Sequence, residues 1–542
     1  MDTLAIYQNH RTLLLVVVLP LIAIVAVFLR RDRRLDNVPG PKLNPLIGLG
    51  FKLPPNATTL FREWADEYGE IFKVRLGWYN WVVINSPEAV RELLEKQAVA
   101  TSSKAPSPLG HDVVTGGMRM PTMEYGPRWK AQRSVVRQIT SVPMTNTFVP
   151  SQEFEMKQLL HDLATDNENM KSFYMHMRRF AFSIILTNTF GTRVKHIDHP
   201  DVHNAMRSQA ILRKTLPPYF IVDELPPLQK LPEWLQPGRK EAEECAKEVL
   251  KIKMNLWRRL ERQHEAGKAP ACYGREILES KDHWYKQGLT DVDLAWVAGG
   301  LVEAGFETSA ATLNSLILHL AAYPRVQAAA QKELMRVVGP DRCPMFEDIQ
   351  NLPYVRACVK EMLRMNPILQ PGIRHYTDQD VVYKNHVIPK GTVLLANTAF
   401  LHYDPSRFEN PYEFMPERYL NHDKYSSEYA AMGDPYKRDH FTFNIGRRTC
   451  PGARVAENSL DIALAGILWA FEIKPPKDDD KIDLSPSAYP NPGFTTPGPF
   501  SVRFIPWDDK RLSIVKEQWE TARKEGYELR GVPVDVDGMV QY

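Results

Sequence analysis

Residues 443–452 read Phe443-Asn444-Ile445-Gly446-Arg447-Arg448-Thr449-Cys450-Pro451-Gly452. From Ala453 to Phe471 apolar residues recur at helical spacing, which places Cys450 just ahead of a helix N-terminus. There the backbone N–H groups and the helix dipole favour a thiolate, the form of sulfur that binds a metal. Gly446 and Gly452 permit turns tight enough for the backbone to approach a flat macrocycle. Arg448 is a candidate partner for an acidic group, and Phe443 is a candidate shield between the sulfur and water. A lone cysteine between glycines is usually structural. The spacing F-x-x-G-x-R-x-C-x-G, with five specified positions, is not easily met by chance.

The other cysteines do not share this setting. Cys245, Cys272, Cys343 and Cys358 are scattered, with no CxxC pair, so neither a disulfide framework nor a zinc site is suggested. They read as small buried hydrophobes in a reducing compartment. Among 542 residues, 68 Lys+Arg against 65 Asp+Glu leave a net charge of +3 and no basic block, which argues against nucleic-acid binding. Length alone suggests more than one core. No internal repeat is evident.

Working outward, Thr290 before Asp291 and Asp293 is a capping-box arrangement that opens a long helix running to about Tyr323, ahead of Pro324. Gly299, Gly300 and Gly305 lie inside it, each costing about 1 kcal/mol against alanine, so something should compensate. Within it stands Ala304-Gly305-Phe306-Glu307-Thr308-Ser309. Further on, Glu361 and Arg364 are three apart on one helical face and can pair there. Phe414-Met415-Pro416-Glu417-Arg418-Tyr419 supplies another arginine, and Trp129-Lys130-Ala131-Gln132-Arg133 lies upstream of all of these.

Each motif is weak alone, but taken in order (WxxxR, AGxET, ExxR, PER, the cysteine loop) they resemble the cytochrome P-450 family from the N-terminal apolar segment to about Pro506. The resemblance is strongest to enzymes of filamentous fungi that serve secondary metabolism. It implies a mainly α, triangular fold with small β-sheets. Haem b would lie between the long central helix and the Cys450 loop, with Cys450 as axial ligand of the iron. By the same resemblance Trp129, Arg133, Arg448 and His375 meet the haem propionates, with Arg374 the competing choice for the last. Ala304 and Gly305 make room for dioxygen, Glu307 and Thr308 handle protons, and Glu361, Arg364 and Arg418 form a buried structural trio. Tyr419 stands where the family more often has phenylalanine.

The front of the chain carries one membrane segment. Residues 13–29, LLLVVVLPLIAIVAVFL, hold no charge and as a helix would reach roughly 26 Å, near the lower limit for a span. Arg30, Arg31, Arg33 and Arg34 follow, against Arg11 alone before it, which orients the bulk of the chain to the cytosol. A cleaved signal would carry its basic residues ahead of the apolar run and a small-residue cleavage site behind it. An uncleaved anchor over residues 1–36 is therefore expected, then a haem-thiolate catalytic domain over 37–506 and a charged tail over 507–542.

The hairpin expected near the front pairs residues 71–76 with 81–84 through a turn at 77–80, and a second strand set is expected at 381–383, 387–388 and 392–395. Two stretches, 101–127 and 216–238, read as long proline-rich loops with apolar content, suited to a pocket lid or a membrane contact. The resemblance implies an endoplasmic-reticulum monooxygenase that activates dioxygen with electrons from a separate NADPH-dependent reductase and oxidises an apolar small molecule. No flavin or dinucleotide fingerprint occurs in the chain itself. A reductase-independent haem-thiolate isomerase or dehydratase, and a non-enzymatic haem sensor, are the rival readings. The acid–threonine pair counts against both.

Overall fold

The computed structural model describes residues 33–44, 48–54, 57–166, 171–216, 219–370, 372–490 and 494–541. The expected anchor at 13–29 lies outside the described residues. Among those described, no helix is long and apolar enough to cross a membrane.

The architecture is mainly helical. The elements used below are, in chain order, α1 (Ala57–Tyr68), β1 (Ile71–Leu76), β2 (Tyr79–Ile84), α2 (Pro127–Ile139), α3 (Val149–Thr165), α4 (Phe173–Phe190), α5 (Pro200–Arg213), α6 (Arg239–Glu265), α7 (Asp291–Ala322), α8 (Pro353–Met365), β3 (Arg374–Tyr376), β4 (Val381–Tyr383), β5 (His386–Ile388), β6 (Val393–Ala396), α9 (Ala453–Ala470), α10 (Asp509–Glu525), β7 (Tyr527–Leu529) and β8 (Val532–Val534). The long central helix α7 begins where the sequence places it. Thr290 Oγ1 accepts from the Asp293 N–H, and Asp293 Oδ2 accepts from the Thr290 N–H at 3.0 Å. Pro324 then closes it. α7 packs chiefly on α4, where Phe182 meets Phe306 edge-on at 4.8 Å. The largest core joins α2, α3, α4, α7, α8 and α9.

The strands depart from expectation in two ways. Leu76 pairs with Tyr79, so the first turn is Gly77–Trp78 and the second strand starts earlier than expected. Gly77 takes φ 55°, which a two-residue hairpin turn requires and glycine allows. The second set is not one set: β4 and β5 form their own hairpin, while β6 joins the first sheet in the order β1-β2-β6-β3, parallel to β2. A period-two pattern marks a strand but not its partner. The stretches read as loops contain short helical pieces: a π-helical turn at Pro108–Val113 and single turns at Ile221–Glu224, Pro226–Gln229 and Glu233–Leu235.

Residues beyond Pro506 fold back onto the domain. Asp508 caps α10 by accepting from the Arg511 N–H at 2.8 Å. Trp519, on the buried face of α10, meets Phe154 of α3 at 5.6 Å. The Arg193 guanidinium lies over both rings, at 4.6 and 5.6 Å. In the β7–β8 hairpin turn, Arg530 reaches Glu276 and covers the Tyr273 ring. Trp519→Ala should therefore lower global stability by about 3 kcal/mol, the usual range for emptying a buried aromatic site, read as a fall in thermal midpoint. A midpoint unchanged from the parent chain would show that the tail is only appended.

Candidate active site

The cysteine loop is held by its own backbone. The Cys450 N–H donates to the Phe443 carbonyl at 2.7 Å, and Thr449 Oγ1 donates to the Gly446 carbonyl at 2.8 Å. Gly446 has φ 58°, and a Cβ there would fall 2.3 Å from the Leu94 carbonyl oxygen, so this glycine is demanded by the fold. Gly452 is different. Its φ is −88°, and a Cβ would meet no protein atom within 4 Å, so whatever its smallness leaves room for is not another part of the chain.

Cys450 is exposed, although the helix it precedes is almost wholly buried. Desolvation raises the thiol, and the Gly452 N–H and the nearby Arg133 guanidinium pull only partway back.

Around this loop the structure assembles cations. Arg448 is buried and donates to three carbonyls: Ser102 at 2.6 Å, Met120 at 3.0 Å and Met123 at 2.5 Å. Its guanidinium covers the Trp129 ring at 4.6 Å. Burial, then Arg133, pushes its pKa down to about 9. Arg133 donates to the Thr449 carbonyl at 2.5 Å, and burial lowers it as well. Lys104, which no sequence motif flagged, is buried beside them and held well below the usual lysine range by burial, Arg448 and Arg374. Among the described residues none of Lys104, Arg133 and Arg448 makes an ion pair, and the buried Trp129 Nε1–H has no acceptor. Clustered cations beside an orphaned donor suit an anionic ligand, and the two carboxylates of a haem fit that need.

The choice between Arg374 and His375 is separated by strand alternation. His375 points toward the cysteine loop, with Nε2 at 3.4 Å from Asn444 Oδ1 and Nδ1 at 3.0 Å from the Thr101 carbonyl. Burial, then Lys104, pushes its pKa down to about 3. Arg374 points the other way, over the Trp81 ring and 4.0 Å from Glu224. Asn444, at φ 63°, is a second contributor that sequence reasoning missed.

On α7, Thr308 Oγ1 donates to the Ala304 carbonyl at 2.8 Å. Ala304 is exposed in the middle of this otherwise deeply buried helix. A Cβ on Gly305 would lie 3.0 Å from Ile185, so its small size also lets α7 pack closely against α4. Glu307 pairs with Arg213 of α5 at 3.2 Å.

Glu361, Arg364 and Arg418 come together as expected from the motif order. Arg364 grips Glu361 bidentately at 2.7 and 2.8 Å, and Arg418 Nε reaches the same carboxylate at 3.0 Å. The Met415 N–H completes it at 3.0 Å. Arg364 also donates to the His402 carbonyl at 2.6 Å. Burial leaves His402 neutral, so Nδ1–H can donate to the Arg364 carbonyl at 2.8 Å while Nε2 accepts from the Phe441 N–H at 2.7 Å. His402 thus links the trio to the cysteine loop; no spacing rule would have found it. The Tyr419 hydroxyl donates to the Asp439 carbonyl at 3.0 Å, which accommodates the departure from phenylalanine.

Comparison with known proteins agrees with this geometry. The family model for cytochrome P-450 matches residues 38–500. The chain is 66% identical over 539 residues to the cytochrome P-450 monooxygenase pgmC of Aspergillus terreus, covering 99% of this chain and 98% of that one. It is 37% identical to the cytochrome P-450 monooxygenase verL of Clonostachys rogersoniana, over 93% and 94% of the two chains. A zebrafish cytochrome P-450 solved with abiraterone shares the fold at a TM-score of 0.65 and 22% identity, covering 84% of this chain and all of that one. The chain belongs to the cytochrome P-450 family. It is an oxidoreductase of the monooxygenase kind, and its cofactor is haem with thiolate-ligated iron.

Glu361→Ala should strand the buried Arg364 and the partly buried Arg418 at about 3–5 kcal/mol. The expected outcome is little or no haem-loaded protein on purification, measured by haem absorbance per chain. Normal loading and stability would show that the trio bears no load.

Proposed function

We propose that Cys450 is the axial ligand and that the enzyme oxidises an apolar small molecule with dioxygen, using electrons from a separate NADPH-dependent reductase. The observation that carries the reading is the unpaired cation cluster of Lys104, Arg133 and Arg448 with the orphaned Trp129 N–H, set beside the Cys450 loop. Bound there, haem supplies the oxygen-activating chemistry, which the protein itself lacks.

The protein's part is to hold and to orient. Trp129, Arg133, Arg448 and His375 would fix the propionate edge, and Gly452 would let the backbone approach the macrocycle. The Thr308 hydroxyl, now spent on the Ala304 carbonyl, is one rotamer from offering its proton on the exposed face of α7. Glu307, held at the solvent side by the exposed Arg213, is placed to renew that proton. Substrate contacts would come from residues 106–123, α7, 368–373 and 491–499, of which 371 and 491–493 lie outside the described residues. The fungal relatives favour a role in secondary metabolism.

Attachment to the endoplasmic-reticulum membrane would come from residues 13–29, with the catalytic domain cytosolic. A second contact is offered by 216–238, where Trp234 is 82% exposed and Leu216, Tyr219, Leu231 and Leu235 are exposed as well. Deleting residues 1–36 should leave a folded haem protein still partly sedimenting with membranes. Adding Trp234→Ser should release more of it, and full solubility after the deletion alone would remove the second contact.

Two spectroscopic and kinetic outcomes test the centre. Reduced protein with carbon monoxide should show the red-shifted Soret band of thiolate ligation, and Cys450→Ala should abolish it; a normal band in that variant would overturn the ligand assignment. Thr308→Ala should keep that band and substrate binding, yet divert NADPH-derived electrons to hydrogen peroxide. Loss of one positioned hydrogen bond costs on the order of a hundredfold in rate where nothing replaces it. Product yield per NADPH equal to the parent enzyme would remove Thr308 from oxygen handling.

A further inference from the structure

Behind the cysteine loop lies a second buried polar cluster, separate from the Glu361 trio. Lys360, next to Glu361 on α8, serves other partners: its ammonium donates to Asp439 Oδ2 at 2.8 Å and stands 3.4 Å from Glu457 Oε1. Ser426, which opens the short helix Ser426–Ala430, sits between the two acids. All four side chains are buried, as are His440 and Asp461 beside them. Three carboxyl groups thus share the surroundings of one lysine.

The hydroxyl of Ser426 decides how many protons the cluster holds. It has one hydrogen to donate and two lone pairs with which to accept. Its Oγ lies 2.6 Å from Asp439 Oδ2 and 2.8 Å from Glu457 Oε1. Oxygens that close each need a hydrogen between them. The hydroxyl supplies one, so the other belongs to a carboxyl group. His440 is not its source. The ring's Nδ1 accepts from the Thr442 N–H at 3.3 Å, which leaves its hydrogen on Nε2, 3.1 Å from the same Oγ, where it fills the remaining lone pair. Asp439 is the acid better kept ionised, since it takes Lys360 on Oδ2 and the His440 N–H on Oδ1 at 2.8 Å. Burial opposes that charge, yet Lys360 and Ser426 hold the carboxyl well below its ordinary range. Glu457 has only the Ser426 N–H, shared by its two oxygens at 3.1 and 3.2 Å, and the longer approach of Lys360. Burial pushes it up, Lys360 takes back only part, and Asp439 adds to the rise.

We propose that Glu457 is held as a neutral acid, its O–H donated to Ser426 Oγ, and that this keeps a negative charge away from the Cys450 sulfur and sets the iron's reduction potential above the value an ionised Glu457 would give. The inference rests on the haem-thiolate reading. Glu457 lies in the second turn of α9, the helix that Cys450 precedes, and its charge is the carboxylate charge that bears on the Cys450 thiol. A negative charge there disfavours reduction, which adds another, and burial weakens the screening between them. Glu457 touches no reacting atom; it is a positioning residue that acts through Cys450. The other charges around it are Lys360, Asp439 and, one turn on along α9, Asp461. Arg356 of α8 is 4.0 Å from Asp461, and burial pushes that carboxyl up to about 7. Tyr425, with the Arg454 guanidinium 4.0 Å over its ring, and His440 complete the titratable neighbours.

The experiment compares the full-length holoenzyme with Glu457→Gln, which puts a neutral amide with N–H donors where the parent has the neutral acid. Reduction potentials are read from the Soret band by spectroelectrochemical titration at several pH values. Near neutrality the two potentials should coincide. At alkaline pH the parent's should fall below the variant's, as Glu457 gives up its proton. Asp461 is present in both, so its own titration cancels. A variant potential higher by the same amount at every pH would mean an ionised Glu457 and overturns the proposal. Coincidence at every pH overturns it too, because the charge then does not reach the iron. Infrared spectra read the proton without the iron: the carbonyl stretch of a buried protonated carboxyl should be present in the parent, lost in Glu457→Gln and retained in Asp461→Asn. A stretch that persists in Glu457→Gln overturns the assignment. Should Glu457→Gln not fold, Ser426→Ala reads the same proton, since losing the acceptor should move the stretch to higher frequency; an unmoved stretch overturns the proposal. A parent enzyme without the thiolate Soret band would instead overturn the haem reading, while the infrared arm still decides where the proton lies.

Discussion

The carboxylate of Glu361 is fully buried and receives four hydrogen bonds, two from Arg364, one from Arg418 and one from the Met415 backbone. An ion this deep is tolerable only while every partner stays. That condition fixes the C-terminal end of α8 against the 408–419 segment. Through the carbonyl and ring of His402 it then fixes the Phe441 backbone, two residues from where the cysteine loop begins. A second tie runs in parallel, from Thr442 Oγ1 to the Leu363 carbonyl at 2.5 Å. The start of the cysteine loop is therefore placed by an ion pair far from it in sequence, and the loop's own bonds, Cys450 N–H to Phe443 and Thr449 Oγ1 to Gly446, close it from there.

The opposite charge balance governs the site itself. At Glu361 every charged group is in an ion pair, whereas around Trp129 the protein gathers Lys104, Arg133 and Arg448 and supplies only backbone carbonyls. Mutual repulsion and burial both disfavour the charged forms there. The fold accepts this arrangement because a ligand's anions can supply what the chain withholds, so haem binding and local stability are linked.

Much of this was legible in the sequence where chemistry and spacing coincide. The capping box at Thr290 and Asp293 and the i,i+3 pair of Glu361 and Arg364 each follow from local geometry that a few neighbouring residues determine. What stayed hidden depends on contacts between distant segments. Lys104 looks like any loop lysine until Arg448 is folded beside it, and His402 sits in no motif. That Gly305 also leaves space for Ile185 of α4 shows only once the two helices are packed together. Likewise the residues 392–395 read correctly as a strand, but nothing local says that they pair with β2. Residues 507–542 read as a charged tail, because their few buried anchors, Trp519 above all, are outnumbered by the charges that surround them.

That parallel pairing of Trp81 with Val393 has a consequence for how the protein is made. β2 leaves the ribosome about 300 residues before its neighbour β6, and at the usual 5–20 residues per second that is on the order of 15–60 s of synthesis. For that interval β2 has only β1 on one side, and the edge destined for β6 is open to any strand it meets. Non-local pairing of this kind is slow to form for entropic reasons as well. Early segments with open edges are therefore the stage at which crowding, chaperone supply and translation speed would decide the yield of this protein, well before haem or substrate has any bearing on it.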